Sequence, residues 1–416
     1  MLTKIEYKKL FGVFDYEIEL KKGGVTIITG PNGFGKSTIL KSIDAFYSLD
    51  IMFFSRLDYE KISFYSNVED KPISIEKKGE KIIISEFEIN VNDLQDEILR
   101  RFRRPYCYRL DEFRWIDRRT DEIISKDDII QSYIQNSYID EEIEIPSNEF
   151  IKLREKVKSY SGDTKFIKEQ RLLRERVHGR NEKQTVNVID ELPDQFKEKI
   201  NRVSSIYSSE ANKLDSSYPN RLFETKNGIT KKEYTKHLEY MNEKFEKLNK
   251  YNISDIKILG KQVKFLEEHS KALKVYFSDF EKKYKVFEEL IEQLDLFTDI
   301  INSRLKFKDI RISRDEGIVV YKSNTDEQLR LDQLSSGEKQ EIILFYELIF
   351  ESDKNIHLLI DEPEISLHIE WQLRFMDDLL RIAEKKKFKV TVATHSPQII
   401  NNHWDIQIDL GEMYGN

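Results

Sequence analysis

Apolar residues recur along this chain in two rhythms. Near the N-terminus, LTKIEYKKL, FDYEIEL and VTIITG read as strands. The last is a short, continuously apolar run of the kind a sheet buries on both faces. KSTILKSIDAFYSL then switches to helical spacing, with Ile39, Leu40, Ile43 and Phe46 on one face. ISFYSNV and EKIIISEFEINV return to strand texture and read as antiparallel. From about Asp93 to Arg304, helical and charged stretches dominate. Within them Leu273, Phe277, Phe280, Tyr284, Phe287, Ile291 and Leu294 alternate steps of four and three, an a/d seam. Leu238, Met241, Phe245 and Leu248 keep the same spacing, and Asn252 and Gly260 interrupt any continuous rod. Such a seam fits a helical hairpin that packs on itself, or a coiled coil that dimerises.

After Arg304 the strand rhythm returns. DIRISRDEGIVVYKS predicts a hairpin turning at Asp315-Glu316-Gly317. A helix opened by LSSGEKQ follows, then strand IHLLID, helix ISLHIEWQLRFMDDLLRIAEKK, strand FKVTVATH and a last strand, DIQIDL. The expected fold class is α/β. One head with a mixed sheet and an antiparallel β lobe is assembled from residues 1–92 and 305–416. Residues 93–304 form a mostly helical insertion, with a return strand near 163–172.

With 39% hydrophobic and 35% charged residues over 416 positions, the chain can bury two or three packed units. No apolar run is long enough to cross a membrane, and MLTKIEYKKLFG lacks a signal-peptide core, so a cytoplasmic address is expected. Cys107 is the only cysteine, which excludes a disulfide framework or a cysteine zinc site within one chain. A net charge of -8 speaks against a globally basic nucleic-acid coat, while a local basic face stays open.

The chemistry begins at Gly30-Pro31-Asn32-Gly33-Phe34-Gly35-Lys36-Ser37, which fits G-x-x-x-x-G-K-[ST] between a strand and a helix. Gly30, Asn32, Gly33, Gly35, Lys36, Ser37 and Thr38 are the expected ATP-binding set. The glycines let backbone N–H groups converge on phosphate oxygens. Lys36 should bridge the β- and γ-phosphates, and the Ser37 hydroxyl should ligate Mg²⁺. IHLLID ends in Asp361-Glu362. Asp361 is placed to hold Mg²⁺, and Glu362 to orient the attacking water as general base. His395, at the end of VTVATHSP, is the expected γ-phosphate contact. A second anion-ready turn, Ser335-Ser336-Gly337, sits at the mouth of its own helix.

GPNGFGKST, LSSGEKQ, DEPEISLH and ATHSP in this order resemble ABC-type ATPases. The chain looks most like the SMC, RecF and OLD branch, and within it the small bacterial ATPases of antiphage defence, such as those of the OLD, Septu and PARIS systems. Transporter subunits usually carry LSGGQ and a D-loop Asp, where this chain has Leu334-Ser335-Ser336-Gly337-Glu338 and His368. The resemblance covers the two terminal portions. It implies two heads facing each other head to tail, so that Ser335 and the N–H of Gly337 reach the γ-phosphate held by the partner copy's P-loop. A homodimer or higher oligomer joined by ATP is thereby expected. It also implies a Q-loop glutamine on the metal, for which Gln170 is the candidate; an ordinary polar residue at a strand end is the other reading.

The chain carries neither long arms with a cysteine hook nor a segment for a Toprim nuclease, and no Ser/His/Asp or HNH-like cluster is visible. A regulatory ATPase with a separately encoded nuclease or toxin as effector is therefore expected. The alternative is a RecF- or SMC-like repair ATPase that clamps DNA directly. Arg100 to Arg119 interleaves arginines with Phe102, Tyr106, Tyr108, Phe113 and Trp115. That stretch fits nucleic-acid stacking, protein docking, or a β-lobe whose arginines pair Asp111, Glu112 and Asp117.

Overall fold

The computed structural model describes residues 2–101, 106–119, 121–130, 148–160, 164–167, 171–178, 182–253, 265–325, 327–352, 356–365 and 367–415. They form two compact units. One comprises residues 1–169, 352–365 and 372–416; the other comprises residues 170–351 and 366–371.

The first unit opens with β1 (Leu2–Leu10), β2 (Phe14–Glu19) and β3 (Val25–Thr29), and a helix over Lys36–Ser48. β4 (Lys61–Ser66), β5 (Ile73–Lys78), β6 (Lys81–Ile84) and β7 (Phe87–Asn90) follow. Six of these strands make an antiparallel sheet in the order β2-β1-β4-β5-β6-β7, the expected β lobe. Alternation along β1 sends Ile5 and Tyr7 inward, and a register shift between Leu2 and Lys4 buries Leu2 as well. There Phe46 of the helix stacks on Phe64 of β4 at 4.0 Å. β5 lies where no strand was expected, because ISIEKK alternates only briefly before its charged end.

Strands also occupy the stretch expected to be mainly helical. β8 (Cys107–Arg109), β9 (Arg114–Asp117) and β10 (Glu122–Ser125) form a small antiparallel sheet. This is the β-lobe reading of the arginine-rich stretch: Trp115 and Asp117 face inward, Arg114 pairs Asp111 at 2.6 Å and Arg119 pairs Asp117 at 2.8 Å. β11 (Thr164–Ile167) is the expected return strand.

The second unit holds the hairpin of β12 (Leu173–His178) and β13 (Glu182–Asn187), followed by three long helices. The outgoing helix, Val188–Glu224, runs antiparallel to the return helix, Ser270–Asn302: Phe196 meets Phe297, Tyr207 meets Phe287, and Arg221 Nη2 donates to Asp279 Oδ2 at 2.8 Å. A middle helix, Lys231–Lys250, lies alongside with Phe245 against Phe280. The heptad seam is therefore covered by the chain's own helices, with Phe277, Tyr284, Phe287, Ile291 and Leu294 all buried. This is the self-packing reading of the seam; its hydrophobic face is already spent within one copy.

β14 (Lys308–Ser313) and β15 (Gly317–Lys322) pair antiparallel from Ser313↔Gly317, the expected hairpin, and β16 (Gln328–Leu329) adds to β15. Gly317 has φ 71°, and a Cβ there would lie 2.0 Å from the Pro193 carbonyl oxygen. No side chain fits at that crossing of hairpin and helix. The Asn302 side chain fastens the end of the return helix to β14 through both its oxygen and its nitrogen, at 2.7 and 3.1 Å from Ile310. The helix opened by the Ser335-Ser336-Gly337 turn, Ser336–Phe350, called the signature helix for its place in the resemblance, packs on the long helices through Tyr346 and Phe350 against Phe196.

The chain returns to the first unit through β17 (His357–Asp361), β18 (Lys389–Ala393) and β19 (Gln407–Asp409). With β3 and β11 they complete a five-stranded parallel sheet, order β11-β17-β18-β3-β19, so the two termini share one sheet. Every residue of β3 and β17 is buried, as their apolar runs require. Two boundaries move. The helix after β17 begins at Ile369, because Pro363 and the turn behind it precede it, and residues 410–415 turn helical after a β19 of only three residues.

Candidate ATPase site

Three neighbouring parallel strands deliver the candidate residues to one edge of the sheet. β3 leads into the glycine loop, β17 into Asp361-Glu362, and β18 into His395. Parallel sheets bind ligands at these carboxyl ends. The ladder runs just past the strand ends, with Thr394 N donating to Ile28 O at 3.1 Å and Glu362 N to Ala393 O at 2.9 Å. The three loops thereby leave the sheet in register.

Gly30, Gly33 and Gly35 have φ values of 146°, 85° and 88°. Only glycine adopts this run without strain, and it turns the loop's N–H groups inward. The helix that follows starts at Lys36 with no side-chain cap and no acidic residue in its first turn. Its N-terminal donors and dipole suit an anion, and the cradle fits a nucleotide's phosphates. Asn32 and Thr38 lie in the loop and in the first helical turn.

Lys36 Nζ donates to the carbonyls of Gly30 at 3.1 Å and Pro31 at 3.3 Å, and lies 3.1 Å from His395 Nδ1. His395 Nε2 is 3.2 Å from Glu362 Oε1. Ser37 Oγ donates to Asp361 Oδ1 at 2.9 Å. Lys36, Ser37, Asp361, Glu362 and His395 are thus brought together in one unit. A hydroxyl beside a carboxylate is a hard oxygen pair of the kind Mg²⁺ takes from a protein while keeping phosphate and water ligands, so the donor set fits the ion.

Burial and neighbouring charge shift three of these residues. Burial holds Lys36 below the ordinary lysine range, against the pull of Glu362, Asp361 and Glu364. Burial first, then the Lys36 ammonium, lowers His395 and favours its neutral form. Burial, with the Glu364 side chain beside it, pushes Glu362 up to about 8. A carboxyl of raised proton affinity is the stronger base once it is ionised. Glu362 also sits at φ 45°, a conformation that costs a non-glycine residue energy and concentrates at functional positions.

The sequence profile of the AAA ATPase domain family matches residues 1–400. This chain belongs to the AAA ATPase domain family. Thirty-seven residues of this ATPase are 54% identical to the probable branched-chain amino acid transport ATP-binding protein LivF of Archaeoglobus fulgidus. That match spans 9% of the chain and only 16% of the curated relative. Two solved structures are similar at 13% identity. The Pyrococcus furiosus Smc head domain with an extended coiled coil, bound to the C-terminal domain of ScpA, is covered to 91%, with 96% of this chain and a TM-score of 0.36. The Thermotoga maritima SMC head domain is covered to 90%, again with 96% of this chain, and a TM-score of 0.34.

The other candidates of this ATPase lie elsewhere. Ser335 and Gly337 open the signature helix in the second unit. Ser335 Oγ accepts from Glu338 N at 3.3 Å, and Glu338 Oε2 accepts from Ser335 N at 2.8 Å, a reciprocal cap braced by Lys308. The Ser335 hydroxyl keeps its proton to donate, and the first N–H groups of the helix have no acceptor within it. Gln170 lies outside the described residues, as do Phe102, Arg103 and Arg104. Sequence reasoning missed Glu364. Its carboxylate binds the turn that carries His395, and the signal was present as the second acid of Asp361-Glu362-Pro363-Glu364. It also missed the aromatic group beside the loop, where Phe14 and Tyr414 pack on Phe34 at 5.1 and 5.8 Å.

Proposed function

We propose that this ATPase binds ATP and Mg²⁺, closes head to tail with a second copy, and uses hydrolysis to regulate a separately encoded nuclease or toxin in bacterial antiphage defence. The convergence of Lys36, Ser37, Asp361, Glu362 and His395 at one sheet edge carries the hydrolytic part of the reading. The P-loop amides and Lys36 hold the phosphates, Glu362 orients and deprotonates water, and His395 marks the γ-phosphate. Bound Mg²⁺ supplies charge neutralisation, with Ser37 and Asp361 as its protein oxygens. Ser335 and Gly337 then serve the partner copy's nucleotide, so loss of the γ-phosphate removes contacts made only in the closed pair.

The defence role rests on the likeness of Asp361-Glu362-Pro363-Glu364 and the residues up to His368 to the small ATPases of such systems. Direct DNA clamping through Arg100 to Arg119 has less support from the described residues of that stretch. Arg114 is paired with Asp111 and Arg119 with Asp117, while Arg118 and Arg109 lie over Tyr108 and Trp115. Among the described residues no helix is long and apolar enough to cross a membrane.

The test is to purify the chain together with the products of adjacent genes and assay DNA and RNA cleavage with and without ATP. The reading predicts a co-purifying effector whose activity changes with nucleotide. If no neighbour associates, while the chain alone binds DNA in an ATP-dependent, salt-sensitive manner, the clamp replaces it.

A further inference from the structure

We propose that Glu364 is a positioning residue for ATP hydrolysis: its Oε1 gathers the donors of the 394–396 turn and sets His395 against Lys36 and Glu362. The inference rests on the reading of His395 as a γ-phosphate contact.

β18 ends at Ala393, and after Thr394 the chain leaves the sheet ladder. From there one carboxylate oxygen takes three bonds from the turn. Glu364 Oε1 accepts from Thr394 Oγ1 at 2.6 Å, from His395 N at 2.8 Å and from Ser396 N at 3.0 Å. Consecutive N–H groups converging on an anion make a strong, direction-setting grip. Thr394 is fully buried, so its hydroxyl has little freedom to exchange this bond for water.

A second tie comes from the helix behind the site. Gln372 Nε2 donates to the Glu364 carbonyl at 3.4 Å, and its Oε1 accepts from Ser396 Oγ at 2.7 Å. The Glu364 segment and the His395 turn are therefore fastened to each other and to one helix. Glu364 Oε2 is buried beside the Glu362 carboxyl and accepts no N–H or hydroxyl hydrogen bond among the described residues. Such an oxygen is costly to bury and persists where its partner oxygen is needed.

The experiment is steady-state ATP turnover with, in parallel, the affinity for a fluorescent ATP analogue. Glu364→Ala removes the acceptor; kcat should fall about tenfold to a hundredfold, the scale of a misplaced catalytic contact. Affinity should stay within about twofold, since the P-loop is untouched. Glu364→Gln keeps an oxygen that accepts the same bonds and should turn over close to the parental rate. Because Glu364 acts through His395, the Glu364→Ala/His395→Ala double variant should be no slower than His395→Ala alone.

A parental kcat in Glu364→Ala with a slow His395→Ala would overturn the proposal and leave the reading of His395 standing. So would multiplying effects in the double variant, or a Glu364→Gln as slow as Glu364→Ala. A parental kcat in His395→Ala would remove the basis of both. Should Glu364→Ala fail to fold, Thr394→Val deletes one donor at nearly constant volume. A partial kcat loss at unchanged affinity supports the grip, and a parental kcat rejects it.

Discussion

In the proposed mechanism Lys36 and Glu362 divide the work of the site, and they should fail differently. Lys36 is buried and spends its ammonium on the P-loop carbonyls and His395. Lys36→Ala removes the charge that grips the phosphates and should abolish measurable ATP binding. Glu362→Gln keeps the shape and removes the base. It should bind ATP with near-parental affinity and lose turnover by about a hundredfold or more, the scale of a general base. Parental turnover in Glu362→Gln would withdraw the base assignment. These residues were legible in the sequence because their chemistry is packed into short motifs flanked by strong apolar runs. Glu364 was not, because its partners, Thr394 and Ser396, lie some thirty residues downstream and meet it only once β17 and β18 pair.

At the scale of elements, the joint between the return helix and the signature helix is a buried ion pair. Arg304 and Glu341 are 3% and 1% exposed, the guanidinium pairs the carboxylate, and it also lies over the Phe345 ring at 4.6 Å. Arg304→Ala takes the guanidinium away from the buried Glu341 carboxylate and should cost about 3–5 kcal/mol in urea unfolding. Arg304→Met with Glu341→Leu should recover most of that loss. A cost below about 1 kcal/mol in the single variant would show the pair to be solvated. The sequence announced the strands β1 to β4, the helix at Lys36 and the 308–322 hairpin through clean periodicity. The sheet of β8, β9 and β10 was one of three readings open for the Arg100–Arg119 stretch, since its exposed Tyr108 and Phe113 and its paired arginines carry little alternation. The heptad seam was visible, but its partner was not. Only the outgoing and middle helices, with Tyr207 and Phe245 on it, show that the seam is filled from within the chain.

For the molecule as a whole, the central claim is that ATP joins two copies, the signature helix of one completing the pocket begun by the P-loop of the other. The Ser335 cap braced by Glu338 and Lys308 keeps that helix end formed and its donors exposed. Light scattering of the Glu362→Gln protein with ATP and Mg²⁺ measures this most directly. The account predicts that ATP raises the mass to at least twice the 49.7 kDa of one chain, and that adding Ser335→Arg holds it at the nucleotide-free value while ATP still binds. An ATP-loaded Glu362→Gln protein that keeps its nucleotide-free mass, or a Ser335→Arg variant that assembles just as well, would contradict it.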